Sequence, residues 1–178
     1  MAIAFFYGAY VQYIAGSEPL YRYLPILFVF AIIVPVLSFI IWKVRTKEFT
    51  DFDVSNRKKR QTLYEFIVPL LGLLALVLIG FKFPLKVILP VLAIFILLFI
   101  STFINKTLKV SLHTSISFLF AYLFFPINSK IAICLFCFGF LIGWSRLVLN
   151  RHQPKEVLAG VILGNIIGLL FLGFVYIW

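Results

Sequence analysis

The stretch "LPILFVFAIIVPVLSFIIW", residues 24–42, decides the class of fold, because it runs through 19 residues without a charged side chain. A helix needs about 20 mainly apolar residues to cross the hydrocarbon core of a bilayer. Membrane helices tolerate an internal proline such as Pro35, since neighbouring groups satisfy the carbonyl that it frees. The stretch therefore predicts a membrane-spanning helix.

Five more apolar stretches of comparable character follow this one along the chain. They cover residues 64–80, 87–103, 111–125, 131–149 and 154–177. Together with the first stretch, they predict an all-α, polytopic membrane protein in which residues 24–178 form a six-transmembrane-helix bundle. Residues 1–23 are aromatic, too short for a full span and without a basic residue before Arg22, so we expect a short N-terminal interfacial segment there.

The composition of the whole chain agrees with a membrane protein. Of the 178 residues, 63% are hydrophobic and 12% are charged, whereas soluble domains have about 45–50% apolar and about 25% charged residues. The length predicts a single integral-membrane domain, residues 1–178. In this setting a net charge of +10 points to anionic headgroups and to topology, so no nucleic-acid partner is expected.

Six helices would place the three polar connections, residues 43–63, 104–110 and 150–153, on the same membrane face. With its flanks, this face carries twelve of the sixteen basic residues: Lys43, Arg45, Lys47, Arg57, Lys58, Lys59, Arg60, Lys106, Lys109, Arg146, Arg151 and Lys155. The bias favours a cytoplasmic position for this face, and we expect the inner membrane of a bacterium as the location. The same charge would also suit an anion site.

Small residues in the last two stretches predict how the helices pack. Glycines spaced four residues apart allow helix backbones to approach closely, and they occur at Gly139, Gly143, Gly160, Gly164 and Gly168. The pair Cys134 and Cys137 has thioredoxin-type spacing. It lies inside an apolar run, so the favoured interpretation is two buried small residues, and a metal site is not expected from two cysteines.

The two histidines of the chain, His113 and His152, both fall on the basic face, each close to the start of an apolar helix. In "SRLVLNRHQPKEVLAG", residues 145–160, Pro154 suits the first position of a helix, which puts Glu156 in the first turn. Glu156 could accept a hydrogen bond from one His152 ring nitrogen and leave the other to attack a substrate. It could instead only complement the helix dipole.

Two further polar segments lie on the same predicted face. In "KVSLHTSIS", residues 109–117, Ser111 is a candidate N-cap, and His113 in the first turn could exchange a proton near neutral pH. The run of basic residues 57–60 is either a solvated cluster or a set of phosphate ligands, since arginine offers a rigid fork of donors. We interpret Asp51 and Asp53 as partners that orient this cluster.

These residues resemble the type 2 phosphatidic acid phosphatase family of integral-membrane lipid phosphatases, whose motifs are Lys-x6-Arg-Pro, Pro-Ser-Gly-His and Ser-Arg-x5-His-x3-Asp. Ser145, Arg146, His152 and Glu156 keep every spacing of the third motif, with Glu in place of Asp. The second motif is matched at Ser111 and His113, whereas Val110 stands in place of Pro and Leu112 in place of Gly. In the first motif only Arg60 matches, because Gln61 replaces Pro and Asp53 replaces Lys, whose charge Arg57 or Lys58 could supply.

The resemblance implies a mechanism and assigns roles to these residues. His152 would attack phosphorus, Glu156 would orient it, and His113 would protonate the leaving oxygen and then activate water. The phosphate-binding residues would be Arg146, Arg60, Lys109, Ser111 and Arg57. Neither a metal nor another cofactor is implied.

The expected function is therefore metal-independent hydrolysis of a membrane lipid phosphate or diphosphate. Candidate substrates are a polyprenyl diphosphate, phosphatidylglycerophosphate, phosphatidate and a lipid A phosphate, and the expected partners are this substrate and the bilayer. Two alternatives stay open: a non-enzymatic protein that binds anionic lipids or acts as a small transporter, and a lipid phosphotransferase. The sequence gives no oligomeric state.

Overall fold

The computed structural model describes Ile26, residues 28–49, Val54 and residues 56–177. Within these residues the chain is all-helical, with a π-helical turn (Val29–Ile33) followed by six α-helices. The α-helices are α1 (Val34–Arg45), α2 (Arg57–Gly80), α3 (Leu85–Ile104), α4 (Leu112–Phe124), α5 (Ser129–Val148) and α6 (Pro154–Ile177). The predicted interfacial segment, residues 1–23, and the proposed roles of Asp51 and Asp53 lie outside the described residues.

Four of these helices, α2, α3, α5 and α6, are long and apolar enough to cross a membrane. Helix α4 has 13 residues, which gives a length of about 20 Å against a hydrocarbon core of about 30 Å. Helix α1 has 12 residues. The all-α membrane class is thus confirmed, and the helices fall on the six predicted stretches, while the number of six spans stays a prediction.

The chain divides into two compact units, Met1–Ile88 and Leu89–Trp178, with the boundary inside α3. In the first unit, Phe49, Val54 and Leu63 form a small buried core on which side chains of α1 and α2 pack. Helix α2 begins earlier than the predicted span, because the Asn56 side chain accepts hydrogen bonds from the Lys58 and Lys59 amides. The assignment of one domain to residues 1–178 stays a prediction.

Glycines set the packing of α4, α5 and α6 in the second unit, as their spacing predicts. Along α6, Gly160 lies against Ser111, Gly164 against Ser115 and Gly168 against Tyr122. The contacts advance in the same direction on both helices, so α4 and α6 run parallel.

Helix α5 runs in the opposite direction to α4. Its first glycine, Gly139, faces Phe118 and the second, Gly143, faces Thr114, nearer the start of α4. The starts of α4 and α6 and the end of α5 therefore meet at one end of this unit. This arrangement brings the two histidine-bearing segments to the same end.

We expect Gly164→Ala to lower the midpoint of thermal unfolding in detergent. The added Cβ would meet the Ser115 carbonyl oxygen, which is backbone and cannot rotate away. Overpacking of this kind costs about 1–3 kcal/mol, or roughly 2–4 °C per kcal/mol for a chain of this size. Gly173→Ala in the same helix is the matched control, because nothing lies within 4 Å of its added Cβ. Equal midpoints for the two variants would contradict the close α4–α6 packing.

The prediction for the cysteines was wrong. Both Cys134 and Cys137 are free thiols on the exposed surface of α5. The apolar run that holds them faces outward on this side of α5, with Ile133 and Phe138 also exposed, and the buried positions of the helix are the small residues Ala132, Gly139 and Gly143. In a membrane helix an apolar sequence alone does not distinguish the lipid-facing side from the packed side.

Candidate active site

A tight turn between α5 and α6 carries His152. The carbonyl of Arg146, in the last turn of α5, accepts hydrogen bonds from the amides of Arg151 (3.0 Å) and His152 (3.2 Å). Asn150 makes this reversal possible with a positive φ of 53°, a conformation that asparagine tolerates better than most residues. The backbone of His152 is therefore fastened directly to the end of the preceding helix.

The side chain of His152 is fixed by Glu156, as the four-residue spacing predicted. Its Nδ1 lies 2.8 Å from the Glu156 Oε2 atom, and the same carboxylate oxygen accepts the Gln153 amide at 3.1 Å. Pro154 opens α6, so Glu156 stands at the third helical position and caps the helix with its side chain. A carboxylate at Nδ1 favours the tautomer with the proton on Nδ1 and the lone pair on Nε2.

Glu156 thus makes both of the contacts that the sequence left open. It is hydrogen-bonded to the ring of His152, and it complements the start of α6 as a cap. Glutamate suits this double role because its longer side chain can reach back to the amide of the N-cap residue, as in a capping box. His152 itself is buried, with 8% of its surface exposed, so its ring is held on several sides.

The start of α4 is docked onto this turn. The Ser111 amide donates to the Glu156 carbonyl at 3.1 Å, and the Lys109 Nζ atom donates to the Arg151 carbonyl at 2.9 Å. Ser111 is the N-cap by position, although its hydroxyl pairs with the Thr114 hydroxyl at 2.9 Å and not with a backbone amide. The structure therefore brings Lys109, Ser111, His152 and Glu156 together.

His113 lies in the first turn of α4, where the sequence placed it, and its side chain is exposed. Its carbonyl accepts a hydrogen bond from the Ser117 hydroxyl at 2.6 Å. The residue thus sits two positions beyond the Ser111–Glu156 contact, at the same end of the unit as the buried His152. His152 is buried and hydrogen-bonded to Glu156, whereas His113 is exposed.

The arrangement favours an anion at this end of the second unit. The parallel helices α4 and α6 both start here, and each start carries a partial positive charge on its unpaired amides. Lys109 and Arg146 add full positive charges, and neighbouring Arg151 and Lys155 are exposed at the same end. Helix starts of this kind bind phosphate groups readily.

The two remaining predicted phosphate ligands, Arg57 and Arg60, belong to the first unit. They lie in the first turn of α2, which has four basic residues and no acidic one, at a helix end that itself favours anions. Arg57 is exposed, whereas Arg60 is buried and its Nε donates to the Val54 carbonyl at 3.4 Å. Their part in substrate binding stays a prediction from the motif.

Two contacts of the site were not predicted from the sequence. The bonds from Lys109 to Arg151 and from Ser111 to Glu156 join segments that are about forty residues apart, and no spacing rule connects such residues. The sequence feature that came closest to predicting these contacts was Gly160, one turn after Glu156. A Cβ added at Gly160 would come within 2.7 Å of the Ser111 carbonyl oxygen, so this glycine marks where the two segments meet. Among the residues that the structure describes, no group of three metal-ligating side chains comes together.

Four long apolar helices indicate a membrane protein, and the His152–Glu156 pair lies at the basic, anion-favouring end of its second unit. The family model of the PAP2 superfamily matches residues 26–178, so the chain belongs to this superfamily, and the resemblance drawn from the motifs is confirmed. Its members are generally phosphatases, which supports activity on phosphate esters. Comparison with curated proteins and with solved structures gave no significant match.

Proposed function

We propose that the protein hydrolyses a phosphate monoester or diphosphate of a membrane lipid through a phosphohistidine intermediate. The observation that carries the proposal is the pairing of the buried His152 with Glu156 at 2.8 Å, two residues whose spacing in the sequence resembles the third motif of the family. A histidine with its Nδ1 proton held by a carboxylate has its Nε2 lone pair available as a nucleophile. The two parallel helix starts supply the positive potential that a phosphoryl group needs.

The reaction then has two displacement steps at phosphorus. In the first, Nε2 of His152 forms a bond to phosphorus while the bond from phosphorus to the lipid oxygen breaks, and His113 gives this oxygen a proton. In the second, His113 takes a proton from water, the water oxygen bonds to phosphorus, and the nitrogen–phosphorus bond breaks. Inorganic phosphate leaves, and both histidines return to their initial protonation states.

Charge on the phosphoryl oxygens is stabilised by cationic groups and by helix starts in this proposal. Arg146 follows from the third motif, and Ser111 presents the start of α4. The motif resemblance adds Arg60, and it adds Arg57 as the first basic residue in the sequence after Asp53, which stands in place of the motif lysine. Such electrostatic stabilisation is usually the largest contribution to phosphoryl transfer.

A lipid is the substrate class that the setting of the site supports. His152 stands where the long apolar helices α5 and α6 meet, a position that corresponds to the membrane surface for helices of this length. The connection between them is five residues long, residues 149–153, and offers no separate domain for a soluble substrate. A lipid that moves sideways in the bilayer can bring its headgroup to this end.

The proposed side of the membrane is the cytoplasmic one, which the distribution of basic residues favours, and the proposed location is the inner membrane of a bacterium. A single cysteine placed between residues 45 and 55, in a background without Cys134 and Cys137, tests the orientation. An impermeant thiol reagent should leave it unlabelled in intact cells and label it after permeabilisation. Labelling in intact cells would reverse the assignment.

The function is tested by phosphate release from purified protein in detergent, with EDTA present. The panel contains a polyprenyl diphosphate, phosphatidylglycerophosphate, phosphatidate and a lipid A phosphate, and we expect release from at least one of them. The resemblance implies that activity persists in EDTA. A folded protein that releases phosphate from none of these lipids would refute the proposal.

The same assay separates the two alternatives. A protein that only binds anionic lipids would release no phosphate, and its lipid binding would weaken when Lys58 and Lys59 are replaced by alanine. A phosphotransferase would move the phosphoryl group to an added acceptor alcohol, which appears as a new phosphate ester. We expect water to be the acceptor, so added alcohol should leave the yield of inorganic phosphate unchanged.

A further inference from the structure

Lys109 contacts the catalytic turn from a different helix segment. It stands just before α4, and its Nζ atom donates to the Arg151 carbonyl at 2.9 Å. This carbonyl belongs to the peptide group that joins Arg151 to His152. The lysine therefore holds the backbone immediately next to the proposed nucleophile.

We propose that Lys109 is a positioning residue that keeps His152 in its attacking geometry, an inference that rests on the proposed function. The family resemblance alone would make this lysine a phosphate ligand. Its contact with a backbone carbonyl supports the other role, in which the ammonium group acts on the substrate through the turn and not by direct contact.

Bonds from different parts of the chain hold His152 and its turn, and Lys109 supplies one from the segment just before α4. The His152 amide is bound by the Arg146 carbonyl of α5, and the ring is bound by Glu156 of α6. Both of these partners lie within six residues of His152 in the chain. The bond from Lys109 ties the nucleophile's turn to the segment just before α4, the helix whose first turn carries His113.

The second bond at this junction strengthens the argument. The Ser111 amide donates to the Glu156 carbonyl at 3.1 Å. The segment 109–111 therefore contacts both the turn, through Lys109, and the first turn of α6, through Ser111. His113 follows this segment directly. Together, the two bonds fix the spacing between the proposed general acid and the proposed nucleophile, which both steps of the reaction require.

A lysine is well suited to this contact. A hydrogen bond from an ammonium group to a carbonyl is stronger than one between neutral groups. The bond from Lys109 adds a contact from outside the two helices that flank the turn. Misplacement of a reacting atom by about 1 Å can cost about 100-fold in rate.

The test compares Lys109→Met with Lys106→Met, which removes an exposed lysine three residues earlier. We expect Lys109→Met to lower kcat by about 10- to 100-fold. The KM for the lipid and the inhibition constant of inorganic phosphate should change little, because the substrate contacts remain. Lys106→Met should behave like the wild type, and Lys109→Arg, which keeps a charged donor, should recover most of kcat.

Hydrogen exchange gives a second measurement that does not need activity. Amides in a peptide covering residues 149–153 should exchange faster in Lys109→Met than in the wild type or in Lys106→Met. Unchanged exchange together with unchanged kcat would refute the positioning role. A rise in KM and in the inhibition constant of phosphate at constant kcat would refute it in favour of direct phosphate binding.

Failure of this inference is distinguishable from failure of the proposed function. An active wild type with an equally active Lys109→Met variant overturns only the inference. A wild type without phosphatase activity overturns the proposed function, and with it the catalytic meaning of the contact. The exchange measurement would then still report whether Lys109 holds the turn.

Discussion

His152→Ala is expected to lower the rate of lipid phosphate hydrolysis by about 10⁴-fold or more, the range seen when a covalent nucleophile is removed. The nitrogen that is proposed to attack phosphorus is lost, and alanine offers no substitute. Helix starts and cationic side chains would remain, so substrate binding should persist. The measurement is single-turnover phosphate release with saturating lipid in detergent.

Leu158→Ala is the control for this variant, because it shortens an exposed side chain on α6 and leaves the turn intact. His152 is buried, so alanine also creates a cavity that could disturb folding. His152→Gln is the second variant, since its amide keeps a polar group at this position. Retention of substantial activity in both folded His152 variants would rule out the histidine nucleophile.

Rapid acid-free quenching gives a direct view of the intermediate. During turnover of a lipid with a labelled phosphoryl group, the wild type should carry label that is stable in alkali and lost in acid, as expected for a phosphorus–nitrogen bond. His152→Ala should carry none. Label of the opposite stability would indicate a different nucleophile and would refute the proposed chemistry.

Glu156→Gln is expected to reduce kcat by about 10²- to 10⁴-fold, by analogy with amide replacement of the orienting carboxylate in a catalytic triad. The amide can still contact His152, but it would no longer stabilise the positive ring that the proposed phosphorylation forms. It also permits the wrong tautomer, with the proton on Nε2. The measurement is kcat at several lipid concentrations, with KM determined separately.

Glu156→Asp is the matched control, because it keeps the charge and restores the residue of the family motif. It should retain more activity than Glu156→Gln, while losing the reach to the Gln153 amide. The lost cap should lower stability by about 1 kcal/mol. Equal activity of the aspartate and glutamine variants would show that the charge of Glu156 has no part in catalysis.

Much of the fold followed from the sequence because a bilayer imposes simple rules. Uninterrupted apolar stretches had to become helices, since no other isolated segment satisfies its backbone in lipid, and the structure places α-helices on all six. Pro154 marked the start of α6, and the four-residue spacing of His152 and Glu156 gave their contact. These are local relations within one or two helical turns.

The sequence did not predict whether each apolar side chain faces the lipid or the protein interior. Cys134 and Cys137 were expected to be buried and are exposed. Lipid and protein interior are both apolar, so the hydrophobic pattern carries little information about which of them a side chain meets. The glycines were better guides, because a missing side chain matters only where another backbone approaches.

The sequence by itself determined the class of protein, the positions of the helices and the His152–Glu156 pair, because each depends on composition or on short spacing. The tertiary structure alone decided that α4 and α6 lie parallel with their starts together, and that Lys109 reaches the Arg151 carbonyl. Contacts between residues about forty positions apart depend on how the helices pack. In this protein the helices pack as they do because Gly160, Gly164 and Gly168 leave room for α4.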